Sequence, residues 1–499
     1  MNLLNQEFIH SGIIIQANAF PKKAAVRSES YEISYDEFLS EIVHVSERLK
    51  YLEIKKINLL KSDDIEFLII FFAMSLAGVE ITLFDPSWPV SLINKLLLKS
   101  NTNTIILDKN SSYKKKYSNY KTLTVEDFGL GKSTKKNIMN DLKYFNTSIN
   151  SSKVFFNGFT SGSLSDPKIF SRSHKSWVKS LSMSRQEFSF SYEDKAIIPG
   201  PLSHGISLFG ALDILSNGGT LNILNDYKNN KNILNTINKE EVTVIILVPT
   251  KLDLLCDAAQ KSRMNSVLKI VSAGSKLSER IRKKALDIFP NAEVIEYYGA
   301  SELSFVSISK TNENCPPNSV GRPFSGVSID IRDTQGNSLR QGQVGEIWVK
   351  SHMICENYLS SSEDKKFRID GDWATVGDIG WLDKNNFLYL NKRKDNIITS
   401  SGYTIDLSSV EDKLMELPGI KEVVVTSIAH DKWGEVIVAL VVPYFKDMLN
   451  EFILNEYCKL NIETYSSPKL WNLSNKIPLT SSGKVHYSLI KKDFLRNKF

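Results

Sequence analysis

The chain has 499 residues, too many for one ordinary core, so two or more domains are expected. Apolar residues make up 42% and charged residues 24%, the balance of a soluble globular protein and not of a disordered chain. A net charge of +6, drawn from 62 basic and 56 acidic residues, is too slight to argue for a nucleic-acid partner.

The amino terminus, Met1 to Glu7, lacks a basic segment followed by an apolar one, so no signal peptide is expected. Ser34-Tyr35-Asp36-Glu37 has the form of a capping box, and Phe38, Leu39, Ile42, Val43 and Leu49 follow at helical spacing. The most apolar run, Phe67 to Val79, is too short to span a bilayer and reads as a buried helix. β-Branched runs at 79–84, 220–224, 242–248 and 267–271 alternate with helical stretches, which predicts wound α/β layers. Lysines at 114–116, 132, 135 and 136 make the stretch from about 110 to 137 basic. It reads as a solvated loop, the alternative being a docking site for an acidic partner or peripheral contact with a membrane surface. From about Gly321 the texture turns to short strands, Val327–Ile331 and Glu346–Val349, separated by a turn-rich stretch. After about Lys394 a compact α+β module is expected, with a helix at Ser408–Leu417 and strands at Val423–Ile428 and Val436–Val442. Cys256, Cys315, Cys355 and Cys458 have no CxxC or CxxH spacing and read as reduced thiols, which fits a cytoplasmic protein.

Chemistry concentrates in a few short segments. Asn157 to Lys168, after the strand-like Val154-Phe155-Phe156, is rich in glycine and serine. Its backbone N–H groups can converge on an anion, with Lys168 as a point charge, although the same composition suits a plain surface turn. It is not a Walker A loop, since GxxxxGK[ST] is absent. Val294 to Glu302 runs as a strand into a turn that gathers Tyr297, Tyr298, Gly299, Ser301 and Glu302. Ser272 to Ser275 closes another strand with Gly274. Val376-Gly377-Asp378-Ile379-Gly380, Arg393, and Pro478 to Val485 with Lys484 complete the set.

Together these segments resemble the superfamily of adenylate-forming enzymes that holds acyl-CoA synthetases, luciferases and the adenylation domains of peptide synthetases. The first resembles the TSGSTGxPKG loop, with Leu164, Ser165 and Ile169 at the departures. The others resemble YGxTE, TGDxG, the GR arginine and PxTxSGK, with Ser301, Lys392 and Tyr487 as departures. The resemblance covers nearly the whole chain and implies ATP-dependent activation of a carboxylic acid to an acyl-adenylate, with Mg²⁺, then transfer to a thiol. It implies an ATP/AMP site at Thr160, Ser161, Gly162, Ser163, Lys168, Gly274, Ser275, Glu296, Tyr297, Tyr298, Gly299, Ser301, Asp378 and Arg393. Within that site Tyr298 stacks on adenine, Glu296 takes the adenine amino group, and Asp378 and Arg393 hold the ribose. Glu302 holds the metal, Lys484 stabilises the transition state, and Asp395 is the hinge of a mobile domain.

The implied architecture is a large α/β AMP-binding domain over 1–393, with a β subdomain at about 321–393, and a mobile α+β domain over 394–499. Gly402 falls where a pantetheine arm passes close to backbone. Pro201 to Gly210 resembles the acid-binding motif PLxHxxG. It lacks the aspartate that amino-acid-activating relatives use, so a fatty, aryl or other uncharged acid is expected. His204 is either a substrate contact or a satisfied core histidine. Ile206, Phe209 and Phe305, with Leu208, Tyr297 and Val306, are candidates for the acid channel or for ordinary core. The expected acceptor is CoA, the alternative being the phosphopantetheine of a carrier protein.

Overall fold

A computed structural model describes residues 7–108, 116–117, 119–131, 150–160, 167–224, 226–260, 262–359, 367–391, 397–400, 403–430, 434–445, 448–480 and 483–497. Two large sheets organise the first part of the chain. In one, the strands Glu293–Ala300, Lys269–Ser272, Val244–Leu247, Lys195–Ile197, Thr220–Asn222 and Ala24–Arg27 lie parallel in that spatial order, with antiparallel strands at both edges. In the other, Val154–Thr160, Glu80–Leu83, Lys56–Leu60, Thr104–Leu107 and Lys121–Leu123 are parallel, and Lys168–Ser173 returns antiparallel. Parallel strands buried on both faces need crossover helices, which the expected alternation supplies.

The capping box forms as read. The Ser34 side chain accepts from Glu37 N–H and the Glu37 carboxylate accepts from Ser34 N–H, opening the helix Tyr35–Tyr51. The apolar run becomes the helix Ile65–Ala77, capped by Asp64 at its start and by left-handed Gly78 at its end. Both helices belong to one core cluster with strands of the two sheets and the helix Gly205–Ser216. Among the described residues no helix is long and apolar enough to cross a membrane.

The stretch read as a basic loop is corrected in its middle. Lys121–Leu123 pairs with Thr104–Leu107 as a strand, and Val125–Phe128 forms a 3₁₀ turn capped by Thr124 and Asp127. Leu123, Val125 and Phe128 are buried, so three apolar side chains outweigh the flanking lysines, several of which lie outside the described residues.

The β subdomain is centred on Gly345–Lys350, which pairs with Ser328–Arg332, Trp373–Thr375 and Ile379–Leu382. Arg322, on an edge strand of the first sheet, is fastened to Glu187 on the helix His174–Phe188 by two bonds of 2.8 and 2.9 Å. In the carboxyl-terminal unit Ile420–His430 and Gly434–Pro443 are antiparallel, and Leu470–Leu473 joins parallel. Alternation along these strands makes two cores. Val425, Ile437, Ala439 and Val441 face the helices Leu407–Met415 and Glu451–Asn461, whereas Val424, Val436, Val438 and Leu440 face Ile490 and Phe494. The helix expected at 408–417 thus starts and ends one or two residues earlier. All four cysteines are free thiols, and Cys256, Cys355 and Cys458 are buried.

A fully buried carboxylate yields a prediction about stability. Burial raises Asp213 to about 7, and hydrogen bonds including one from Asn217 Nδ2 at 2.9 Å only partly offset it. Its native value lies above the unfolded one, so its contribution is fully present below about pH 4 and lost as pH rises through 7. Asp213→Asn should be more stable than the unaltered chain at pH 8, by on the order of 2–4 kcal/mol, and little changed at pH 4. Denaturant unfolding at the two pH values measures the difference.

Candidate active site

The carboxyl ends of the two sheets face one crevice, the usual place for a ligand in wound α/β folds. The loop after Lys195–Ile197, from the first sheet, is bonded to segments that follow two strands of the second. Leu202 N–H donates to Asp63 Oδ2 at 2.9 Å, and His204 Nε2 meets Asp85 Oδ2 at 2.9 Å. Asp63 follows Lys56–Leu60 and Asp85 follows Glu80–Leu83.

The glycine-rich segment begins later than its composition suggests. The strand Val154–Thr160 continues through Asn157, Gly158 and Phe159, so Thr160 is its last residue and pairs with Lys168. Side-chain packing favours the longer strand: Phe159 stacks its edge against Trp88, and Phe156 meets Phe170 across the hairpin. The part of that segment from Asn157 to Thr160 is thus strand and not turn. Ser161, Gly162 and Ser163 lie outside the described residues, as do Arg393, Asp395 and Gly402.

Glu293–Ala300 and Ser304–Lys310 form a hairpin whose tip carries Ser301 and Glu302. Gly299 is required there by close approach, because a Cβ would stand 2.2 Å from the Ser304 carbonyl oxygen. The Glu302 residue is 8% exposed, and its backbone oxygen accepts from Cys355 N–H. Tyr298 Oη donates to Asp378 Oδ2 at 2.6 Å, joining the YGxTE-like and TGDxG-like segments across 80 positions of sequence. Asp378 follows left-handed Gly377, and its carbonyl accepts from Ile347 N–H. Tyr297 points to the other face of the strand. Its ring packs edge-to-face on Phe305 at 4.8 Å, and Phe209 does so at 5.1 Å. Tyr297 therefore stands with the acid-channel candidates and not beside Tyr298. Phe305 is itself stacked on Phe324 at 4.3 Å.

Glu296 is 2% exposed, and its carboxylate already holds three donors. Leu277 N–H lies at 2.7 Å, Lys276 Nζ at 2.8 Å and Arg282 Nη2 at 3.2 Å. The adenine contact implied by the resemblance would have to share those oxygens.

Gly274 and Lys484 meet although 210 positions separate them. Gly274 has φ +93°, and a Cβ there would lie 3.2 Å from Ile206 Cδ1 and 3.7 Å from Lys484 Cε. Ser275, next to it, is exposed. The turn that presents Lys484 is closed by Thr480 N–H to the Lys484 carbonyl, and Thr250 Oγ1 donates to the Gly483 carbonyl at 2.7 Å. Gly483 has φ +78°, and a Cβ on it would press on Val248 at 2.8 Å. Sequence reasoning missed Thr250, Asp63 and Asp85 as parts of the site.

Among the described residues no three His, Cys, Asp or Glu side chains gather as a ready metal site. One carboxylate at Glu302, completed by phosphate oxygens and water, is the donor set that suits Mg²⁺.

The Tyr298–Asp378 bond yields the second prediction. Tyr298→Phe keeps the ring and removes the donor that orients Asp378, and a bond to a charged group is worth roughly 2 kcal/mol. The Michaelis constant for ATP in pyrophosphate exchange should rise by about thirtyfold, with unfolding little altered. An unchanged constant would separate Asp378 from nucleotide binding.

Comparison with known proteins bears on this geometry. The family model described as AMP-binding enzyme matches residues 14–359, and that of the AMP-binding enzyme C-terminal domain matches residues 409–484. An uncharacterised acyl–CoA ligase, YhfT of Bacillus subtilis, is 30% identical over 483 residues, covering 95% of this chain and 96% of that protein. A putative long chain fatty acid–CoA ligase, VraA of Staphylococcus epidermidis, is 26% identical, covering 96% of this chain and 97% of that one. In fold, the chain is similar to the Bacillus subtilis o-succinylbenzoate CoA synthetase solved with ATP and a magnesium ion. The TM-score is 0.81 at 21% identity, covering 96% of this chain and 99% of that one. A crevice built by two parallel sheets, closed by a small domain that brings a lysine to a strand-end glycine, accords with these likenesses: the chain belongs to the AMP-binding enzyme family.

Proposed function

We propose that this chain is an AMP-forming acid–CoA ligase acting on an uncharged carboxylic acid. The observation that carries the reading is Lys484 lying against Gly274, beside Ile206 at the start of the helix Gly205–Ser216. A substrate carboxylate oxygen attacks the α-phosphorus of ATP, the bond to the β-phosphate oxygen breaks, and pyrophosphate leaves. Charge grows on the attacking oxygen and the α-phosphate in that transition state, and the Lys484 ammonium is placed to offset it. Thr160 and Lys168 flank the phosphates, Tyr298 stacks on adenine, and Asp378 holds the ribose hydroxyls. Glu302 would hold Mg²⁺, which would supply charge to offset that of the triphosphate. In the second step the CoA sulfur attacks the acyl carbon, and AMP leaves with the electron pair of the broken acyl–oxygen bond. The small domain over 394–499, turning at Asp395, exchanges Lys484 for Gly402 between the steps.

Relatives described as acyl–CoA ligases favour CoA over a carrier protein as acceptor. The absence of aspartate from Pro201 to Gly210 favours an acid without an ammonium group, since an unpaired buried ammonium is costly.

The test offers ATP, Mg²⁺ and a panel of fatty, aryl and α-amino acids, with CoA and a phosphopantetheine carrier protein in parallel. Acyl-CoA, AMP and pyrophosphate should form from uncharged acids at least about a hundredfold more efficiently than from any α-amino acid. Thioester appearing on the carrier alone, or efficient activation of an amino acid, would overturn the reading.

A further inference from the structure

The bond between His204 and Asp85 has an electrostatic character that a packing contact does not need. Asp85 is 3% exposed, and no lysine or arginine makes an ion pair with it among the described residues. Burial works against its charge, yet the hydrogen bond and charge of His204, with bonds from Ser87, outweigh burial and hold the carboxyl at about 2. The carboxylate is therefore ionised and accepts, so His204 Nε2 carries the proton in this bond. A buried carboxylate is expensive to keep, and an apolar or amide pair would join the sheets at lower cost.

The bond also sits where it can act. His204 is the residue before the helix Gly205–Ser216, whose second residue, Ile206, lies against Gly274 near Lys484. The Leu202–Asp63 bond fastens the other side of the same loop. The ring is thus held from the opposite sheet, while its own backbone opens the helix that lines the crevice.

We infer that Asp85 is a positioning residue for activation of the acid: it fixes the tautomer and the orientation of His204 at the acid end of the crevice. The inference rests on the proposed ligase reading, with His204 as the group that meets the acid. Orienting a ring already in place acts on the acid and leaves the nucleotide alone. Loss of one such constraint typically costs about tenfold to a hundredfold in rate.

The experiment compares Asp85→Ala and Asp85→Asn with the unaltered chain in acid-dependent pyrophosphate exchange, together with thermal unfolding and the ¹⁵N spectrum of the histidine rings. Asp85→Ala should lower kcat/KM for the acid by about tenfold to a hundredfold while KM for ATP stays within about twofold. Asp85→Asn, whose amide oxygen still accepts from Nε2–H, should recover part of the loss. The His204 signal should change from an Nε2-protonated ring to a mixture of tautomers in Asp85→Ala. Equal changes in the acid and ATP constants, an asparagine variant no better than alanine, or an unchanged His204 spectrum would each overturn the inference. Acyl-CoA formation by the unaltered chain is scored separately, so failure of the ligase reading is told apart from failure of this one.

Discussion

The architecture depends on one close approach, that of the Gly483–Lys484 turn to the ends of two strands of the first sheet. Gly274 and Gly483 both hold left-handed backbone, and both stand where a Cβ would meet a neighbour. Thr250 closes the contact with a single hydrogen bond to the Gly483 carbonyl. Lys421 and Asp257 add an ion pair at 3.6 Å between the same carboxyl-terminal unit and the helix Pro249–Ala258.

Around that contact the crevice is built by polar side chains placed at strand ends. Asp63 and Asp85 follow adjacent strands of one sheet and hold a single loop from the other, so the two sheets are registered where substrates would enter. Tyr298 and Asp378 do the same between the hairpin and the β subdomain. Glu187 and Arg322 fasten the helix His174–Phe188 to an edge strand of the first sheet. None of these bonds is local in sequence. They set relative position more than they form structure.

This division explains how much could be read beforehand. The helix Tyr35–Tyr51 was legible because its cap, its acidic first turn and its apolar spacing lie within one stretch. The helix Ile65–Ala77 was legible because its thirteen residues are apolar except for Glu66 and Ser75, which leaves few alternatives. Gly274 and Gly299 stood out as members of short family-like segments, and the close approaches they make are seen only in the structure. Lys121–Phe128 was hidden by the lysines around it, since the apolar residues that decide the matter number only a few. The true start of the glycine-rich turn was hidden because strand length was decided by Phe170 across the hairpin. Asp85 and His204 lie 119 positions apart, and nothing in either neighbourhood announces the other. The carboxylate of Glu296 read as a nucleotide ligand, and its bonds to Lys276 and Arg282, 20 and 14 positions away, were not visible in the sequence.

The central claim is that one crevice runs two half-reactions and that Lys484 serves only the first. The direct measurement is Lys484→Ala assayed for each half-reaction in a folded protein. Pyrophosphate exchange should fall by about a hundredfold to a thousandfold, as expected when preorganised charge is removed. Conversion of a supplied acyl-adenylate to the CoA thioester should stay within about threefold of the unaltered chain, because no charge stabilised by Lys484 develops in that step. Equal loss of both half-reactions would contradict the account.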